Sequence, residues 1–147
     1  MVDDYKKIFN AKVVAIFGKL PKKQQTASMK AFVTQFCAKM PLQDIENFEP
    51  AFAANIIKSS YSFVQKRTPN KPKLRIVELD HNKAGLKRRR AVVELLNDDI
   101  PFLVDSISAE LVRQGFTIYE TIHPQLHLER DNKGSIERFG PMEERRG

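Results

Sequence analysis

The chain has 147 residues, of which 41% are hydrophobic and 29% charged, an ordinary globular balance large enough for one full core or two small ones. The net charge is +7, and it sits mainly in the first half, where residues 1–70 carry eleven Lys or Arg against five acids. No apolar stretch reaches the ~18 residues of a membrane span, the start Met1-Val2-Asp3-Asp4-Tyr5-Lys6-Lys7 is no secretory signal, and the single cysteine, Cys37, excludes a disulfide framework within the chain. A reducing, cytoplasmic setting is the expectation.

The first half reads as helices. Ile8, Phe9, Val13, Ile16, Phe17 and Leu20 recur at spacings of three and four, with Lys12 as a gap, and Pro21 stops the pattern. Ala27, Met29, Phe32, Val33, Phe36, Cys37 and Met40 repeat it as far as Pro41. A turn is expected around Asp44 to Phe48. A third helix from about Pro50 to Lys66 would bury Phe52, Ile56, Ile57, Ser60, Phe63 and Val64. Thr68-Pro69-Asn70-Lys71-Pro72-Lys73 then reads as a linker, because its prolines withhold donors and its charges stay wet.

The second half changes period. Strands are expected over Leu74 to Asp80 and Arg90 to Leu96, separated by a loop that ends in the basic run Lys87-Arg88-Arg89-Arg90. A helix over Pro101 to Gln114 has an apolar side of Leu103, Ile107, Ala109, Leu111 and Val112, with Gly115 suited to its left-handed end. A strand over 116–122 would complete a β–α–β unit. Leu126 to Arg130 and Ser135 to Phe139 read as a hairpin about the turn Asp131-Asn132-Lys133-Gly134. The expected fold is α+β: a helical region over 1–68, a truncated ferredoxin-like sandwich over 74–139, and a tail over 140–147. Such a sandwich needs a second helix that the tail does not supply. The N-terminal helices or a partner subunit are expected to cover the exposed sheet face.

The strand–helix junction holds the candidate site. Asn97, Asp98, Asp99, Pro101 and Asp105 crowd a polar loop where a helix offers unpaired N–H groups. Their negative charge suits an ammonium group, or capping of the helix by Asp98 or Asp99. No glycine-rich phosphate loop, cysteine pair or Ser/His/acid set is encoded, so neither a catalytic nor a cofactor site is expected. His123 and His127 lie four apart in an extended segment, a span of ~13 Å, which is too far for one metal ion. A small basic nucleic-acid-binding module using Lys87 to Arg90 is the alternative reading, although no aromatic residues interleave that run.

The stretch Val92-Val93-Glu94-Leu95-Leu96-Asn97-Asp98-Asp99-Ile100-Pro101-Phe102-Leu103-Val104-Asp105-Ser106 resembles the N-terminal region of the large bacterial NAD-specific glutamate dehydrogenases. The likeness continues through Glu110-Leu111, Ile122-His123-Pro124 and Arg130-Asp131-Asn132-Lys133-Gly134, and Tyr61-Ser62-Phe63 to Arg67 is similar to the family's sequence ahead of the first strand. The resemblance implies an ACT-type regulatory module of βαββαβ design. It also implies an amino-acid effector between the first strand and helix, at an interface between like subunits. The parent reaction would convert glutamate and NAD to 2-oxoglutarate, ammonium and NADH. The family's catalytic lysine and dinucleotide fold have no counterpart here, so NAD belongs to the rest of the dehydrogenase chain. ACT modules commonly carry an Asp-x-Pro-Gly turn, and this chain has Asp99-Ile100-Pro101-Phe102, with a bulky side chain at the glycine position.

Overall fold

The structure is a computed structural model that describes residues 2–79 and 90–141. Its helices are α1 (Val2–Lys19), α2 (Ala27–Cys37), α3 (Leu42–Asn47), α4 (Pro50–Val64) and α5 (Leu103–Arg113). Its strands are β1 (Lys73–Leu79), β2 (Arg90–Leu96), β3 (Leu128–Arg130) and β4 (Ile136–Phe139). The architecture is α+β, with a helical segment followed by two small antiparallel sheets, a partial ACT-like sandwich.

Local chemistry explains the helical segment. The Thr26 hydroxyl accepts from the Met29 N–H and caps α2. Glu49 caps α4, taking the Ala51 and Phe52 N–H groups on its two oxygens, and Pro50 stands at the first position, where no donor is needed. These hydrogen bonds, the one from Phe52 foremost, hold the Glu49 carboxyl below its usual range. Lys12, the gap in the apolar pattern of α1, donates through Nζ to the carbonyls of Glu46 and Phe48 at 3.2 and 3.0 Å. It thereby ties α1 to the carbonyl end of α3, where a cation is favoured. The turn expected around Asp44 is this short third helix, which starts directly after Pro41.

The core lies among α1 to α4. Ile16, Met29, Phe32, Val33, Cys37, Ile45 and Ile57 are its largest fully buried side chains. Phe32 is the hub, with Phe36, Tyr61 and Phe139 rings at 5.8, 5.3 and 6.0 Å. Phe139 and Ile136 of the C-terminal hairpin pack on this cluster, together with Leu96, Ile122 and Leu126. The hairpin is further held by Gln35, which is 3% exposed. Its side-chain amide accepts from His127 N–H at 2.7 Å and donates to the carbonyls of His127 and Gly140.

β1 and β2 pair antiparallel in register from Lys73↔Leu96 to Leu79↔Arg90. Alternation puts Lys73, Arg75 and Glu94 on the side facing α4, where Arg75 bonds Glu94 and Ser59. Leu74, Ile76 and Val93 lie on the other side, exposed. The N-terminal helices therefore lie on the face that carries Lys73, Arg75 and Glu94, and among the described residues Leu74, Ile76 and Val93 stay exposed.

One expected element of the second half does not form. Among the described residues, 116–122 form no strand, so the β–α–β unit is not closed. The side chains of this segment find partners elsewhere. Tyr119 lies beneath the Arg90 guanidinium at 4.0 Å, and Ile122 packs on the helical core. The hairpin was legible: Asp131 accepts from the Lys133 and Ser135 N–H groups, and Gly134 has a left-handed φ of 87°. A Cβ at Gly134 would stand 1.8 Å from the Arg67 carbonyl oxygen, so only glycine fits. Gly115, at φ 93°, likewise ends α5, where the Phe116 and Gly115 N–H groups reach the carbonyls of Leu111 and Val112.

Candidate functional site

The loop after β2 is gathered by one cation. Arg67, just past α4, donates through Nη1 to Asp98 at 2.8 Å and through Nη2 to Asn97 at 3.3 Å. Its Nε reaches back to the Lys71 carbonyl at 2.8 Å, which fixes the fork. The Arg67 side chain is 12% exposed, whereas that of Asp98 is 70% exposed, so the pair lies with the arginine inside and the carboxylate at the rim.

Asp98 and Asp99 do not cap α5, contrary to the sequence expectation. Asp99 accepts from the Gln125 amide at 3.2 Å, and Asp98 is engaged by Arg67. The residue before α5 is Phe102, in a left-handed conformation (φ 64°, ψ 9°), and its side chain makes no capping hydrogen bond. Helix formation therefore starts at Leu103, two residues later than Pro101. Pro101 lies in the exposed turn, and Asp105 in the first turn of α5, where its charge complements the helix dipole.

The structure thus brings Asn97, Asp98 and Asp99 together around Arg67 and Gln125, with Pro101 and Asp105 beyond them along the turn and α5. Neither Arg67 nor Gln125 is among the site residues expected from the sequence. Outside the family resemblance, an isolated arginine ahead of a linker carries no spacing signal. The arrangement joins exposed carboxylates, which match an ammonium group, to a guanidinium, which matches a carboxylate.

Among the described residues, no group of three or more His, Cys, Asp or Glu is placed to hold a metal ion. His127 serves through its backbone, in the Gln35 clamp. Cys37 is buried, and burial pushes its thiol up to about 12, against a smaller opposing pull from Lys12, so it is no nucleophile in the folded chain. Lys87, Arg88 and Arg89 of the basic run, and His81, lie outside the described residues.

Residues 32–147 match the family model described as glutamate dehydrogenase, ACT1 domain. The chain belongs to the glutamate dehydrogenase ACT1-domain family. The ACT1 match takes in the end of α2 from Phe32, α3, α4, the loop after β2 and the hairpin. Over 124 residues the chain is 30% identical to an NAD-specific glutamate dehydrogenase of Halomonas elongata, covering 83% of this chain and 8% of that one. It is 27% identical over 110 residues to the NAD-specific glutamate dehydrogenase of Pseudomonas aeruginosa, covering 75% of this chain and 7% of that one. The chain therefore spans less than a tenth of the length of these relatives. No solved structure matches it. No helix among the described residues is long and apolar enough to cross a membrane.

Proposed function

We propose that this chain is a noncatalytic regulatory or assembly region of a cytoplasmic NAD-dependent glutamate dehydrogenase. The match of residues 32–147 to the ACT1 domain carries the reading. In this account residues 1–68 form its helical part, 74–139 a truncated ACT-like domain and 140–147 a tail. NAD and glutamate belong to the parent enzyme, whose reaction yields 2-oxoglutarate, ammonium and NADH. The partners are the rest of that chain and like subunits. Exposed Leu74, Ile76 and Val93 supply an apolar surface in keeping with assembly.

Within that role, Asn97, Asp98, Asp99, Pro101 and Asp105 make the amino-acid effector position. An α-ammonium would sit among the exposed carboxylates. The α-carboxylate would compete with Asp98 for Arg67, which already offers two of its N–H groups to this loop. An effector would thereby loosen the hold of α4 on the loop. Calorimetric titration with glutamate, aspartate and other amino acids tests this directly. Saturable binding that Asp98→Asn or Asp99→Asn abolishes while the fold persists is the expected result. Absence of binding by every amino acid tried would leave the loop as a structural junction alone.

A further inference from the structure

The linker between α4 and β1 is more ordered than its composition predicts, and it borders an open recess of about 340 Å³ lined by Lys66, Thr68, Lys71, Pro72 and Lys73. Asn70 takes a left-handed φ of 62°, and the Lys71 N–H donates to the Thr68 carbonyl, so the chain turns back on itself. Lys66 and Lys71 are thereby brought to the same hollow.

Lys73 is held in place from behind. Its Nζ donates to the carbonyls of Phe63 at 2.7 Å and Lys66 at 2.9 Å and lies 4.8 Å from the centre of the Phe63 ring. Two of the three N–H donors of this ammonium are thus taken by carbonyls. Burial, then the charges of Arg75 and Arg130, make it harder for Lys73 to keep its proton. Arg130, spent on the carbonyls of Val64, Gln65 and Gly134, is likewise weakened by burial and by Arg67. This end of α4 thus gathers Lys66, Arg67, Lys71, Lys73, Arg75 and Arg130. Two carboxylates pair with the group, Asp98 with Arg67 and Glu94 with Arg75. Among the described residues Lys66, Lys71 and Lys73 have no ion-pair partner. The helix-end carbonyls carry only partial charge and already have donors.

We propose that the recess formed by Lys66, Thr68, Lys71, Pro72 and Lys73 binds a phosphate group, carried by a small phosphomonoester. The donors distinguish phosphate from carboxylate. A carboxylate is best met by a free arginine fork, and the nearby arginines are committed to Asp98, Glu94 and backbone carbonyls. Lysines and a threonine, which can supply ammonium and hydroxyl donors without a planar fork, suit a compact tetrahedral dianion. The recess falls at the small end of the range of ligand pockets, which leaves room for an organic portion against Pro72 and the lysine stems. The inference rests on this geometry and charge, independently of the amino-acid position at the neighbouring loop.

The 147-residue chain, followed by amide NMR at fixed ionic strength, provides the test, with phenyl phosphate, inorganic phosphate, succinate and a short single-stranded oligonucleotide as probes. Phenyl phosphate is expected to shift the amides of residues 66–73 saturably, and inorganic phosphate to displace it. Succinate should bind about tenfold more weakly, since it finds no free guanidinium fork. The Lys66→Gln/Lys71→Gln double variant, altered at two exposed side chains, should lose about tenfold or more in phenyl phosphate affinity with the rest of the spectrum unchanged. Lack of saturation, equal binding by the double variant, or succinate binding as tightly as phenyl phosphate would overturn the proposal. So would an oligonucleotide that occupies the recess where the two small phosphates do not.

Discussion

Gln35 does the most at the scale of single residues. Its amide replaces a neighbouring strand for His127, accepting from the N–H and donating to the C=O across a sequence gap of 92 residues. Gln35→Ala would leave that N–H and the Gly140 carbonyl without their partner, and a loss of about 1–3 kcal/mol in denaturant-measured stability is expected. Phe102 makes the opposite case. It occupies, at φ 64°, a backbone conformation suited to glycine, and 77% of it is exposed. Phe102→Gly is expected to raise stability by about 0.5–1 kcal/mol, after the extra chain entropy of glycine is set against the relieved strain. Cys37 gives a pH signature. Its thiol ionises near 9.0 when unconstrained and at about 12 in the fold. Between those values only the unfolded chain gains the thiolate, so this group's contribution is intact below pH 9.0 and is lost as pH rises towards 12. Urea midpoints should fall over that window, and Cys37→Ala should remove part of the fall.

Among the elements, α5 and α4 differ most. Every residue of α5 is at least partly exposed, whereas α4 buries Ala53, Ala54, Ile57, Phe63 and Val64. Leu103→Ala is therefore expected to cost less than about 1.5 kcal/mol, because its side chain is only half-buried. Ile57→Ala should cost about 2–5 kcal/mol through the cavity it leaves. Asp99→Ala, whose carboxylate meets Gln125 at the surface, should stay within about 0.5 kcal/mol of the parent. A capping role would have made it costlier. The helices of the first half, β1, β2 and the hairpin were legible, because apolar spacing, prolines and the Asp131–Gly134 turn state them locally. The start of α5 was not. Capping propensity favoured Asp98 or Asp99, but Arg67 and Gln125 took those carboxylates, and both contacts are remote in sequence. The strand expected over 116–122 failed for a related reason. Alternation cannot show whether a pairing edge awaits the segment, and here Ile122 is drawn to the helical core and Tyr119 to Arg90.

For the whole molecule, the family is written into one continuous stretch around Asn97–Ser106, while the positions that hold this stretch, Arg67 and Gln125, are dispersed. The helical half and the C-terminal hairpin share Phe32, Phe139 and the Gln35 clamp, so their unfolding is expected to be a single transition by circular dichroism and by Tyr fluorescence. The proposed role is to serve a glutamate dehydrogenase without performing its chemistry. Glutamate-dependent reduction of NAD by the purified 147-residue chain, followed at the absorbance of NADH, tests that claim most directly. No turnover above the buffer rate is expected at any glutamate or NAD concentration. Turnover that co-purifies with the chain and disappears when residues within it are changed, with the fold intact, would contradict it.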